Sequence, residues 1–351
     1  MGEPGDAGEE LVRLLMATRL AETCGRASFE LGDYRSATQL LASAVARSPG
    51  ADDLRLLLNR SVKKQVRRWH FRMMNDRTRN DAYRAAVEAT VQPGDVVLDI
   101  GTGAGITAMM CARAGAEHVY TCERDPLLAA LAERIIERND LSDRVTVLDR
   151  SSHDVRPGVE LPAPADVVVA EIFDCGLLGE SALGTLRDAA DRLLRPGGAM
   201  VPGRATVHGQ LVESEALHQL NHVHEVAGFD VSSFNLVESS EYFASYLRWY
   251  PHRLLSEPFP VFDFHFGEEP GPDGRALQVP IVRSGSCHAV VMWFVLDLGN
   301  GIELSSGPWD PDTHWRQAVQ TFRVPVPLTA GHPARLTAHH NIDRVRLCLE
   351  S

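Results

Sequence analysis

The stretch VVLDIGTGAGITAMM, Val96 to Met110, decides the fold. Its first five residues are an apolar, β-branched run of strand length, and helix-forming residues follow Gly105. Gly101, Gly103 and Gly105 fill the turn between them. Glycines at such a junction allow a tight turn and let a ligand approach the backbone closely. Working outward, the next strand-like run, VYTCE, ends in Glu123. A carboxylate roughly 20 residues beyond the glycines can accept both hydroxyls of a ribose. A lone glycine turn is a weak signal. Here the strand, the spacing and the second strand's acid agree, and the stretch reads as a nucleotide-binding turn.

The pattern continues on both sides. A helix begins at Pro126, with Leu128, Leu131 and Ile135 on one face. RVTVLD and ADVVVAE read as strands, and Thr185 to Leu194 as a helix stopped by RPGG. Upstream, WHFRMMNDRTRNDAYRAAV reads as one mixed basic and apolar helix. This alternation predicts an α/β, Rossmann-like, doubly wound and mostly parallel sheet over residues 61–202. After Pro202 the character changes. RATVHGQLV, HAVVMWFVLDL, ARLTAHH and DRVRLCLE alternate apolar and polar residues, which predicts an antiparallel, β-barrel-like domain over 203–351. Residues 1–60 read as all-helical. Gly25, Tyr34, Ala37, Leu41, Ala44 and Pro49 match one tetratricopeptide unit. An ordinary helical hairpin explains the same small residues.

Composition narrows the function classes. The 351 residues carry a formal net charge of -12, which argues against a non-specific nucleic-acid binder and suits a basic peptide partner. The six cysteines are scattered without a CxxC pair, as expected of reduced thiols rather than a disulfide scaffold or zinc site. No signal-peptide pattern and no run of about 18 apolar residues is present, so a soluble, cytoplasmic protein with no membrane partner is expected.

Two further motifs carry chemistry. AEIFDCGLLGE, Ala170 to Glu180, follows the strand ADVVV and brackets a loop with Glu171 and Glu180. This loop falls at the carboxyl edge of the sheet, where open α/β sheets hold ligands. Two carboxylates facing one cavity repel unless a cation joins them. No nearby cluster completes a metal site, so no metal is expected. A guanidinium, with five donors in a planar fork, suits two carboxylates gripping it from two sides. Glu180 as a mere cap of the following helix is the other reading. The third motif, THWRQAV (Thr313 to Val319), reads as a loop returning to an active site after the Pro-rich turn GPWDPD, though a surface histidine is the commoner explanation.

DIGTGAG departs from the GxGxxG of NAD-binding turns and resembles the first motif of S-adenosylmethionine (SAM) methyltransferases; LLRPGG is similar to a turn of the same superfamily. Together, DIGTGAG, Glu123, the double-glutamate loop and the THW loop resemble the protein arginine methyltransferase family over about residues 66 to 351. Within it, the sequence looks closest to methyltransferases 9 and 7. The resemblance implies the cofactor SAM and an arginine-containing protein or peptide as substrate. It places Arg79 on the SAM carboxylate, Gly101 and Gly103 along the methionine and ribose side with Gly105, and Glu123 on the ribose. Ser152 and His153 fall where the family often places an adenine-contacting Val and Glu. Glu171 and Glu180 clamp the substrate guanidinium, His314 and Asp76 form a His–Asp pair, and Trp315 packs beside the arginine. Met73 lies on the cofactor-covering helix, where product-determining bulk is usually found. Ala182 stands where asymmetric dimethylators carry Met, so mono- or symmetric dimethylarginine is expected. The family also implies a homodimer through an arm, for which 238–257 is the candidate; an aromatic core segment is the other reading. The helical prefix is a candidate surface for a protein partner. The rival functions are methylation of a small guanidino or amine metabolite, and a weakly catalytic SAM-binding scaffold.

Overall fold

The computed structural model describes residues 5–269, 271, 273–310 and 313–350. Pro311 and Asp312 of the turn before the THW loop lie outside the described residues. The chain divides into two compact units, Met1–Arg72 and Met73–Ser351.

The first unit holds α1 (Gly5–Glu30), α2 (Tyr34–Arg47) and α3 (Asp52–Gln65). Asp33 caps α2 by accepting from Ser36 N at 3.1 Å, and Ser48 ends it just before Pro49. Ala37, Leu41, Ala44 and Leu54 are buried together. Gly25 permits the close approach of α1 and α2, since a Cβ there would lie 2.9 Å from Leu41 Cγ.

The short helix α4 (Trp69–Met74) spans the division, and α5 (Arg77–Thr90) follows. The single helix expected here is therefore two. Asp76 is extended (ψ 97°) and accepts from Arg79 N at 2.9 Å, so it caps α5 and interrupts the run. Next come β1 (Val96–Ile100), α6 (Ile106–Ala114), β2 (His118–Glu123), α7 (Pro126–Glu137), β3 (Val145–Asp149), β4 (Ala165–Ala170), α8 (Ala182–Arg192) and β5 (Leu194–Val201). The strands form a parallel sheet in the order β3-β2-β1-β4-β5. The order reverses between β1 and β4, so the glycine turn and Glu171 emerge side by side at its carboxyl edge. The segment RPGG lies inside β5 rather than ending the preceding helix, and Arg192 is that helix's last residue.

The remaining chain forms β6 (Arg204–Glu213), α9 (Glu215–His218), β7 (Glu225–Val226), β8 (Phe229–Asp230), β9 (Phe243–Ser245), β10 (Arg253–Leu254), β11 (Phe259–His265), β12 (Gly274–Val279), β13 (Gly285–Asp297), β14 (Glu303–Ser305), β15 (Gln317–Leu328), β16 (Ala334–His340) and β17 (Val345–Leu349). They build antiparallel sheets: β10-β6-β13-β15-β9 with β11 and β14 attached, β12-β16-β17, and the hairpin β7-β8. A single buried cluster runs from Tyr83, Leu98 and Val168 through Phe173, Phe294 and Trp315 to Leu336 and Leu347. The nucleotide-binding sheet and the antiparallel sheets thus share one core within Met73–Ser351.

The segment 238–257 is anchored to the antiparallel sheet over part of its length. β9 pairs with β15, Tyr246 and Leu247 are fully or almost fully buried, and Tyr242 is nearly so. Tyr242 and Tyr246 there serve the core, whereas Trp249 is exposed. Further exposed apolar side chains lie just upstream, at Val226, Phe229, Phe234, Leu236 and Val237.

Candidate active site

The glycine turn is fixed from beneath. Asp99, fully buried at the end of β1, accepts from Thr107 Oγ1 and Thr121 Oγ1, each at 2.6 Å. Burial pushes its carboxyl up to about 6, against the pull of those two hydroxyls. Gly101, Gly103 and Gly105 all have positive φ (87°, 52° and 75°). A Cβ on Gly101 would meet Ile172 Cγ2 at 2.7 Å. Gly105 caps α6. Glu123, at the tip of β2, accepts from Gly103 N at 3.0 Å and Asp125 N at 2.9 Å. Two backbone donors thus aim its carboxylate at the glycine turn, and each oxygen retains a lone pair for a ligand hydroxyl. This donor and acceptor set fits the ribose end of SAM.

Glu171 leaves the end of β4 directly above the buried Tyr83, whose hydroxyl donates to Ala170 O at 2.9 Å. Arg79 forks onto Glu171 Oε2, through Nε at 3.0 Å and through Nη2. Both side chains are nearly closed off, at 5% and 6% exposure. Arg79, expected on the cofactor carboxylate, is placed against Glu171, with Nη1 on Asn80 Oδ1 at 2.7 Å. Glu180 is different. It remains exposed and makes no hydrogen bond or ion pair among the described residues. Desolvation by the surrounding wall, with the Glu171, Asp174 and Glu123 carboxylates, raises its pKa to about 7, opposed by Arg124. It does not cap α8, because its successor Ser181 holds that position at φ 58° without a side-chain bond.

Asp76 and His314 meet as the sequence suggested. Asp76 Oδ2 accepts from His314 N at 2.7 Å and lies 2.9 Å from His314 Nδ1. Burial would raise the Asp76 pKa, but bonds from His314 and from the backbone N–H groups of Arg79 and His314 outweigh it and hold it low. Trp315 is not open beside the site. It is buried, edge-on to Phe294, and its Nε1 donates to Phe173 O at 2.9 Å. It therefore ties the THW loop to the double-glutamate loop. Tyr246 supports the same loop by donating to His314 O at 2.9 Å.

Ser152 and His153 form a short 3-10 turn after β3. Ser152 is buried, while His153 is half-exposed with Nδ1 3.2 Å from Asp188 Oδ2 and Nε2 3.5 Å from Thr185 Oγ1. Its ring is tied to α8 by these contacts. Met73 is half-buried in α4, and Ala182 is fully buried at the start of α8. The sequence reading missed Asp99, Tyr83, Asp174, Tyr242 and Arg344. For Asp174 a local signal existed, since Asp two residues before Gly176 is an Asx-turn pattern. Its partners Tyr242 and Arg344 are 68 and 170 residues away and carried no such signal.

The chain resembles known proteins in both sequence and fold. Residues 203–347 match the arginine methyltransferase oligomerization subdomain, and residues 84–209 match the ribosomal protein L11 methyltransferase family. The chain is 43% identical over 278 residues to an arginine N(omega)-methyltransferase of Streptomyces achromogenes subsp. streptozoticus, covering 78% of this chain and 76% of that protein. It is 35% identical over 308 residues to protein arginine N-methyltransferase 7 of Oryza sativa subsp. indica, covering 77% of this chain but only 43% of the rice protein. Its fold matches a Trypanosoma brucei PRMT1 enzyme-prozyme heterotetrameric complex with AdoHcy, at a TM-score of 0.71 and 24% identity over 82% of this chain and 95% of that one. With that identity to the Streptomyces protein over most of both chains, and with the oligomerization subdomain matched, the chain belongs to the protein arginine methyltransferase family.

Proposed function

We propose that this chain uses SAM to methylate the guanidinium of arginine in a protein or peptide. One observation carries the reading: Glu180 makes no hydrogen bond or ion pair among the described residues, and the carboxylates of Glu171, Asp174 and Glu123 act on it, with Arg124 opposing them. Such a site attracts a planar cation with several donors. Glu171, held by Arg79, offers a fixed acceptor, and Glu180 offers a free one. Gripping opposite edges of the fork orients one nitrogen and weights electron density toward it. The gain comes chiefly from positioning and electrostatics. When bound, SAM supplies an electrophilic methyl group, which a guanidinium nitrogen takes with loss of one N–H proton. Glu180 is the proposed acceptor of that proton, because its carboxylate has no hydrogen-bond partner of its own among the described residues. The His314–Asp76 pair holds the THW loop in place and is the second candidate. Mono- or symmetric dimethylarginine is the proposed product.

The proposed assembly is a cytoplasmic homodimer. Its contact is the hairpin β7-β8 with the turn Ser232–Val237, where Phe229, Phe234 and Leu236 are 71%, 70% and 85% exposed. The matched oligomerization subdomain covers this segment. The helical unit is proposed as a tetratricopeptide-like surface for a protein partner.

A second reading, free arginine as substrate, is favoured by the Streptomyces relative, whose name specifies arginine without protein. The test is transfer of a radiolabelled methyl group from SAM to Arg-rich peptides and, separately, to L-arginine, followed by hydrolysis and amino-acid analysis. Labelled monomethyl- or symmetric dimethylarginine from peptide supports the first reading. Label on free arginine alone supports the second. No label on either, with SAM bound, overturns both.

A further inference from the structure

We infer that Tyr242 and Arg344 are positioning residues, which latch the loop carrying Glu180 by gripping Asp174. This rests on the assignment of Glu180 to the guanidinium site. Asp174 is the hub. Its Oδ1 accepts from Gly176 N at 3.0 Å and Gly179 N at 2.9 Å, which closes the loop on itself. Its Oδ2 accepts from Tyr242 Oη at 2.9 Å and Arg344 Nη1 at 3.0 Å. Arg344 Nη1 also donates to Tyr242 Oη at 2.8 Å, and the guanidinium lies 5.1 Å from the tyrosine ring centroid. Arg344 Nε in turn sits 3.2 Å from Glu241 Oε2. Charge-assisted bonds from two distant parts of the chain therefore converge on one carboxylate inside the loop.

The two loop glycines supply independent support. Neither has a positive φ that would itself require glycine. A Cβ on Gly176 would lie 2.2 Å from Tyr242 Cζ, and one on Gly179 would lie 2.2 Å from Arg344 Nη1 and from Asp174 Oδ2. The glycines are explained by the room the latch needs. The loop also needs holding, because Leu177 (φ 78°) and Ser181 (φ 58°) are non-glycine residues in the left-handed region, and Ser181 directly follows Glu180. Such conformations persist when surrounding contacts over-determine them.

The experiment uses the full chain with Tyr242→Phe, Arg344→Met and Arg344→Lys. Hydrogen exchange is followed at the amides of Gly176 and Gly179, and kcat and KM are measured for the arginine substrate and SAM. Arg344→Met should speed exchange at both amides on the order of tenfold. It should lower kcat comparably, with the KM for SAM unchanged. Tyr242→Phe should act in the same direction, and Arg344→Lys should restore part of both. Unchanged exchange and unchanged kcat in Arg344→Met and Tyr242→Phe would overturn the latch, as would a loss expressed only in the KM for SAM. Exchange needs no turnover. A wild-type protein that never methylates arginine would refute the function while the exchange data still judged the latch.

Discussion

Glu180 should write its own titration into the enzyme's kinetics. Its pKa is raised to about 7, first by desolvation and then by the Glu171 and Asp174 carboxylates. Only the ionised form can grip a guanidinium. At pH 6 about one-tenth of Glu180 is ionised and at pH 8 about nine-tenths, so kcat/KM should rise about tenfold between them and fall roughly tenfold per unit below pH 6. An ordinary glutamate would give a flat profile over that range. The limb in kcat should sit at lower pH, because the bound cation favours the carboxylate. The stability sign is opposite. The folded pKa exceeds the unfolded one, so Glu180 costs folding stability as pH rises from about 4.5 through about 7. Glu180→Gln should therefore raise Tm increasingly from pH 5 to pH 8, by an amount limited by solvent screening of this exposed group. The assay is initial-rate methyl transfer from pH 5.5 to 9. The assay is repeated with His314→Asn, which should keep the limb at a lower plateau. A flat kcat/KM between pH 6 and 8, or a limb that disappears with His314 while turnover persists, would refute the reasoning.

Asp76→Ala should lose the α5 cap, about 1 kcal/mol in chemical denaturation, together with much of kcat, whereas Asp76→Asn should keep most of the stability. Because Asp76 is held below its usual pKa, its contribution is present above pH 4 or so and is lost as pH falls. Tyr83→Phe leaves Ala170 O without its hydroxyl donor at the root of Glu171 and should cost about 1 kcal/mol, read by urea midpoint. Phe229→Glu with Phe234→Glu should yield monomers in sedimentation if the exposed hairpin is the self-association surface. Gly25→Val should loosen the α1–α2 hairpin, measured as faster amide exchange there, since Leu41 already fills the space.

Much of this architecture was legible because its signals are local. β1 and the glycine turn are contiguous, and the spacing to Glu123 is set by one β-α-β unit. The His314–Asp76 pair was legible only through resemblance, since 238 residues separate its members. Propensity misled where a polar side chain competes with the helix. Asp76 turns one amphipathic run into two helices by capping the second. Aromatic content at 238–257 does not separate contact from core residues: Tyr242 and Tyr246 spend their hydroxyls on Asp174 and on the THW loop, while Trp249 is exposed. Trp315 and Arg79 also have protein partners that the sequence does not show, Phe173 O and Glu171. No sequence window contains those pairings.

The central claim is that Glu171 and Glu180 recognise a guanidinium by its charge and fork. Calorimetry of an arginine peptide against the same peptide carrying citrulline, in the presence of S-adenosylhomocysteine, tests it most directly. The account predicts binding of the arginine peptide at pH 8, at least about tenfold weaker binding of the neutral citrulline peptide, and loss of that preference in Glu171→Gln and Glu180→Gln. Equal affinity for the two peptides in the wild-type protein, or an undiminished preference in both variants, would contradict it.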